Sequence, residues 1–146
     1  MSYTIKKVEV WAGDLANRPG TLARVLEGLA RAGAELEFLV ARRVTENTSR
    51  VFVAPLKGKK QKQAAGDVGL VPAVGMYSIR VEGPDRPGLG ADISRCLASD
   101  GINIRGASAA AIGRKSVFYA AFKTEDEAKA AARAIRKLLI AKKRRR

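Results

Sequence analysis

Apolar and polar residues alternate in several short stretches of this chain, and each stretch predicts a β-strand. The clearest are residues 6–12 (KKVEVWA) and 77–83 (YSIRVEG). Two similar pairs occur further along, residues 36–40 with 102–104 and residues 50–56 (RVFVAPL) with 116–122 (SVFYAAF). Residues 70–74 (LVPAV) are a further candidate strand.

Apolar residues at helical spacing separate these predicted strands. The first helical stripe consists of Leu22, Val25, Leu26 and Leu29, and the second of Leu89, Ile93, Cys96 and Leu97. Gly33 and Gly101 follow the stripes, where a left-handed glycine commonly ends a helix. Residues 57–69 predict a weaker, polar helix, and the sequence TEDE at 124–127 is a capping box that opens a final helix.

The chain repeats this pattern. NRPGTLARVLEGLARAGAEL (17–36) aligns with DRPGLGADISRCLASDGINI (85–104) at a constant offset of 68 residues. We therefore predict an α+β protein made of two tandem ferredoxin-like βαββαβ plaits, each an antiparallel sheet with its helices on one face. Residues 1–74 form the first repeat, 75–141 the second and 142–146 (KKRRR) a basic tail. The second repeat shows no fourth strand, which indicates truncation or strand exchange between repeats.

Composition narrows the classes of function. The chain has 146 residues, no histidine and one cysteine, so the commonest general base and metal ligand is absent and no disulfide forms within the chain. We expect no catalytic residues, no metal and no cofactor, and hence a protein that is not an enzyme. The sequence contains no stretch of eighteen apolar residues and no signal peptide, so we expect a cytoplasmic protein with no membrane partner.

The loop between the first strand and first helix of each repeat carries the sequence Asn/Asp-Arg-Pro-Gly. Asn17 and Asp85 are predicted helix N-caps, because their side-chain oxygens accept free backbone N–H groups. The positive end of a helix dipole beside such a loop favours an anion such as a carboxylate. Gly20 and Gly88 lack side chains and permit a ligand to approach the backbone.

A strand, this loop, a helix closed by glycine and the sequence INI resemble the ACT domain, a family of small regulatory modules that bind amino acids. The resemblance covers both repeats and is stronger in the second. It implies an allosteric module that forms a homo-oligomer and has a metabolic enzyme or regulator as its partner. It places the amino acid between this loop and the start of the second strand of a neighbouring module. The implied ligand-binding residues are Asn17, Arg18, Gly20, Asp85, Arg86, Gly88, Leu89, Ile102 and Asn103. Glu35 replaces Asn103 in the first repeat, so the two sites are not expected to be equivalent.

Two other interpretations remain open at this point. In the first, Asn17 and Asp85 are helix caps with no ligand to bind, and Asn103 is a turn residue. The alternative function is an RNA-binding ferredoxin-like module, because the net charge is +14 and aromatic residues occur on the predicted central strands. Much of that charge lies in residues 57–62 and 142–146, and the glycine-aromatic signature of RNA-binding strands is missing.

Overall fold

The computed structural model describes residues 2–145, with side chains up to residue 140. The elements are β1 (Thr4–Val8), β2 (Trp11–Ala16), α1 (Thr21–Arg31), β3 (Phe38–Arg43), β4 (Thr48–Ala54), α2 (Gly58–Asp67), β5 (Val71–Pro72), β6 (Tyr77–Pro84), α3 (Leu89–Ser99), β7 (Gly106–Ile112), β8 (Lys115–Phe122) and α4 (Glu125–Arg145). They form two compact units, residues 9–74 and residues 1–8 together with 75–146. None of the helices in the described part of the chain is both long and apolar enough to cross a membrane.

The unit of residues 9–74 is an antiparallel sheet in the order β3-β4-β2-β5. Its core joins one face of the sheet to both helices, since Val51 and Val53 of β4 pack with Val25 and Leu29 of α1 and with Ala65 of α2. Helix α2 is the polar helix that the sequence predicts, and the short strand β5 lies within the predicted strand 70–74. This unit therefore has the predicted βαββαβ order.

The second unit is a sheet in the order β1-β6-β8-β7. Ile93 and Leu97 of α3 and Ile135 of α4 are fully buried against Ile79 and Phe122 of the sheet. Thr124 opens α4 as predicted, because its hydroxyl accepts the backbone N–H of Glu127 at 3.1 Å. The prediction of two ferredoxin-like plaits with their helices on one sheet face is confirmed.

The fourth strand of the second unit comes from the N-terminus. β1 pairs antiparallel with β6, placing Ile5 opposite Val81, and the Tyr3 hydroxyl donates a 2.6 Å hydrogen bond to the carbonyl of Pro84. The prediction of one strand over residues 6–12 is wrong, because the chain passes from one sheet to the other at Glu9 and Val10. The expected first repeat, residues 1–74, accordingly differs from the compact unit over its first eight residues.

The predicted helix terminators and the predicted basic tail both lie at the ends of helices. Gly33 and Gly101 adopt φ values of +81° and +70° just after α1 and α3, so their predicted role as helix terminators is confirmed. Helix α4 continues to Arg145 and includes four residues of the predicted tail. Arg146 lies outside the described residues.

Candidate ligand-binding loops

The loop of the first repeat is fastened to the turn between β3 and β4. The backbone N–H of Asn17 donates to the carbonyl of Asn47 at 2.8 Å. Its side-chain Nδ2 donates to the carbonyl of Glu46 at 2.9 Å, and its Oδ1 accepts the Ser49 hydroxyl at 3.3 Å. The Asn17 side chain therefore holds the hairpin and does not cap α1.

The loop of the second repeat is held by the equivalent backbone bond. The N–H of Asp85 donates to the carbonyl of Arg114, in the turn between β7 and β8, at 2.8 Å. The Asp85 side chain is exposed, and among the side chains that the structure describes, those of residues 2–140, none binds its carboxylate. Both repeats thus fix the start of the loop through main-chain atoms, and only Asp85 leaves its side chain available to a ligand.

The Arg-Pro-Gly sequence forms a β-turn in both loops. Gly20 and Gly88 have φ values of +93° and +84°, and the following N–H groups return to the carbonyls of Arg18 and Arg86 at 3.5 and 3.3 Å. A β-turn with proline at its second position and a left-handed glycine at its third position is a type II turn. The helices begin after these glycines, so the predictions that Asn17 and Asp85 are N-caps and that the prolines lie in the first helical turn are wrong.

The two loops differ in charge. Arg86 Nη2 binds Asp92 Oδ2 at 2.7 Å across the first turn of α3, and Nη1 donates to the Pro87 carbonyl at 3.3 Å. The residue equivalent to Asp92 in the first repeat is Arg24, and α1 has no acidic residue in its first turn. Arg18 is exposed. The two loops therefore differ in their electrostatics.

The remaining candidate residues divide into core and surface. Leu89 is 5% exposed and belongs to the hydrophobic core, and Ile102 is half-buried against the same core. Asn103 is exposed, as is Glu35 at the equivalent position. The prediction that a strand begins at residue 102 is wrong, because β7 begins at Gly106 and residues 102–104 precede it outside any strand.

The loop and Asn103 lie at opposite ends of the sheet. Pro84, which precedes the loop, pairs with Lys115, whereas Gly106, which follows Asn103, pairs with Ala121. Lys115 and Ala121 are six residues apart along strand β8, so these two residue pairs are separated by roughly 20 Å. The second unit by itself therefore does not bring Asp85 and Asn103 together.

A surface cleft opens at the loop end of this sheet. Its volume is about 460 Å³, and it is lined by Ser2, Thr4, Glu82, Gly83, Pro84, Arg114 and Lys115. Glu82 forms ion pairs with Lys115 and with Arg80. Hydrogen bonds from Lys115 and Arg80 lower the pKa of Glu82 to about 2. The cleft adds positive charge beside the loop. No sequence signal indicates it, because the pattern of residues does not show that β1 pairs with β6.

The sequence model of the ACT domain family matches residues 77–140. Residues 77–140 are an ACT domain. The first repeat shares its topology, its Arg-Pro-Gly turn and its terminating glycine, so the chain presents the ACT fold twice. The predicted resemblance is confirmed.

Solved structures share this fold over most of the chain. Protein BT0572 from Bacteroides thetaiotaomicron has 17% identity and a TM-score of 0.75, covering 88% of each chain. The ligand-free regulatory subunit of aspartate kinase from Thermus thermophilus has 16% identity and a TM-score of 0.66, covering 94% of this chain and 97% of that one. Aspartokinase III from E. coli, in complex with lysine and aspartate, has 14% identity and a TM-score of 0.52, covering 94% of this chain and 32% of the kinase. Among curated proteins, no sequence matches this one.

Proposed function

We propose that this protein is a regulatory module that binds a free amino acid at the loop of its ACT domain. The observation that carries the proposal is the loop of residues 85–88, which is fixed by main-chain bonds yet leaves an exposed carboxylate beside a helix N-terminus. The first N–H groups of α3 have no intrahelical acceptor and suit a ligand carboxylate. Asp85 suits the ligand ammonium.

The second half of the site comes from Asn103 of a second copy of the chain. Strand β7 is at the edge of its sheet, and within the described residues only β8 pairs with it. It carries no charged residue and no proline, whereas β1 contains Lys6 and Lys7 and β5 has only two residues. A long, uncharged edge strand is the edge most open to pairing with another chain.

Antiparallel pairing of β7 with β7 of the second copy would bring Asn103 of one copy toward the Asp85 loop of the other. If Ser108 lies opposite Ser108 of the second copy, Asn103 of one copy is level with Gly113 of the other. Gly113 precedes Arg114, whose carbonyl holds the Asp85 loop. The ligand then lies between the loop of one copy and Asn103 of the other, and its occupancy alters the association that a partner enzyme senses.

A thermal-shift screen of the twenty amino acids tests the proposal. Lysine and aspartate are the first ligands to try, since both are bound in the similar E. coli aspartokinase III. A ligand at one hundred times its dissociation constant adds about 2.7 kcal/mol, which corresponds to a shift of about 5–10 °C. We expect Asp85→Asn and Asn103→Ala to remove the shift, and Glu35→Ala, at the equivalent position of the first repeat, to leave it unchanged.

Sedimentation velocity with and without the stabilising amino acid tests the shared site. We expect the ligand to strengthen self-association, and Asn103→Ala to abolish that effect. A screen in which no amino acid stabilises the protein, or a shift that survives both substitutions, would refute the proposed ligand site. If an amino acid stabilises the protein while the protein stays strictly monomeric, the ligand site is supported but the contribution of a second copy is refuted.

A further inference from the structure

Helix α4 has an exposed cationic face opposite its buried one. Its apolar side chains Ala128, Ala131, Ile135 and Leu139 are buried in the core. Lys129, Arg133, Arg136 and Lys137 are exposed and fall within about 100° of one another around the helix axis. This cationic face is distinct from the loops and from Asn103.

Nearby acids balance only a small part of the charge of the cationic face. The acidic residues of α4 are Glu125, Asp126 and Glu127 in its first turn, and Glu125 is bound by Lys7 at 2.7 Å and by Lys129 at 3.8 Å. From residue 128 to the end of the chain the sequence has nine cationic residues and no acidic one. Like charges four residues apart on a helix repel one another, so this arrangement costs stability in the isolated protein.

The spacing of these residues fits a polymer of repeating negative charge. Lys129, Arg133 and Lys137 succeed one another every four residues, a rise of about 6 Å per step along one line of the helix. The sequence extends the same charge through residues 142–146. A small anion would need its charges to converge on one point, whereas these charges are laid out in a row.

A membrane surface fits this face less well. Membrane-binding helices bury an apolar face in the lipid headgroups. The apolar face of α4 is already in the protein core, and Ile140, with 51% exposure, is the large apolar residue on the cationic face. On strand β8, Phe118 and Phe122 lie in the core, so these two rings do not offer a surface for base stacking.

We propose that the exposed face of α4 binds the phosphate backbone of a nucleic acid without reading its sequence. Such binding depends on phosphate contacts and is therefore strongly weakened by salt. This inference does not depend on the proposed amino-acid site, and differs from the RNA-binding alternative based on strand aromatics because the helix supplies the contacts.

Fluorescence anisotropy with a labelled twenty-nucleotide oligouridylate, across a salt series, tests the inference. The triple variant Lys129→Gln, Arg133→Gln, Lys137→Gln lowers the net charge from +14 to +11. Each lost phosphate contact on a single strand reduces the slope of log K against log salt by about 0.7. We expect the magnitude of that slope to be smaller by about 2 in the triple variant than in the unmodified protein. The triple variant should also bind roughly 100-fold more weakly near 0.1 M salt.

A matched control separates the position of the charge from its amount. Lys59→Gln, Lys60→Gln, Lys62→Gln on α2 also gives a net charge of +11 and is expected to leave the affinity nearly unchanged. Arg133→Gln alone is expected to weaken binding about fivefold, which keeps the test valid if the triple variant does not fold. The inference is overturned if the unmodified protein does not bind at low salt, if both triple variants weaken equally, or if vesicles containing phosphatidylserine bind more tightly than the oligonucleotide.

Discussion

Gly83→Ala tests whether β1 completes the sheet of the second unit. A Cβ atom built on Gly83 would lie 2.8 Å from Cγ and from Cε1 of the Tyr3 ring, and still closer to Cδ1. Carbon atoms pack favourably at about 3.5–4.0 Å, so the ring must move. We expect Gly83→Ala to destabilise the protein by about 1–3 kcal/mol, the usual cost of overpacking.

The cause of that loss is identified by a double-mutant cycle with Tyr3→Ala. Without the Tyr3 ring the added methyl group meets no clash, and replacing glycine where the backbone allows it stabilises by about 0.4–1 kcal/mol. The two substitutions should therefore be non-additive, with a coupling energy of at least about 1 kcal/mol. Tyr3→Phe is the control, because it removes the 2.6 Å hydrogen bond to Pro84 but keeps the ring and the clash.

Urea unfolding followed by far-UV circular dichroism provides the free energies for this cycle. The single tryptophan, Trp11, lies in the core of residues 9–74, so its fluorescence reports separately on that unit. If Gly83→Ala costs the same free energy with Tyr3 present and with Tyr3→Ala, the ring does not cover Gly83. The assignment of the N-terminal strand to the second unit would then be refuted.

The remaining predictions concern the charge cluster and the turns. Hydrogen bonds from Lys115 and Arg80 lower the pKa of Glu82 to about 2, so its contribution to stability is present above the ordinary value of 4.5 and is lost as the pH falls toward 2. Glu82→Gln should flatten the fall in urea midpoint over this acid range, and an unchanged pH dependence would contradict the role of the ion pairs. Gly20→Ala and Gly88→Ala should each cost about 1–2 kcal/mol because of their positive φ, whereas Gly90→Ala inside α3 should stabilise by up to about 1 kcal/mol. Equal effects at Gly88 and Gly90 in urea unfolding would show that the turn imposes no such constraint.

The sequence predicts much of this fold because the pattern occurs twice. Each repeat independently predicts a strand, a helix and a terminating glycine, and Gly33 and Gly101 have the expected positive φ. The sequence pattern does not reveal where the chain passes from one sheet to the other. The alternation of residues 6–12 continues unbroken through Glu9, and a period of two identifies a strand without identifying its partner.

The sequence of the turn before each helix argues against Asn17 and Asp85 as N-caps. Proline disfavours helical conformation in the residue before it, so neither Arg18 nor Arg86 is suited to a helix. Proline followed by glycine is moreover the signature of a type II turn, which the φ values of Gly20 and Gly88 confirm. Side-chain preference for capping is a local property, and here the backbone of the next three residues decides where the helix begins.

The separation of Asp85 from Asn103 explains why the sequence identifies candidate residues more readily than a site. Helix α3 carries the chain from the loop end of the sheet to the other end before β7 begins, so residues close in sequence to the helix ends become distant in space. Each half of the proposed site then offers too few groups to hold an amino acid, since the loop supplies N–H groups and one carboxylate and Asn103 one amide. A ligand that needs both halves must bind more tightly to paired copies than to single ones, and by linkage it must promote their pairing. Ligand binding and self-association are therefore expected to be lost together when either half is altered.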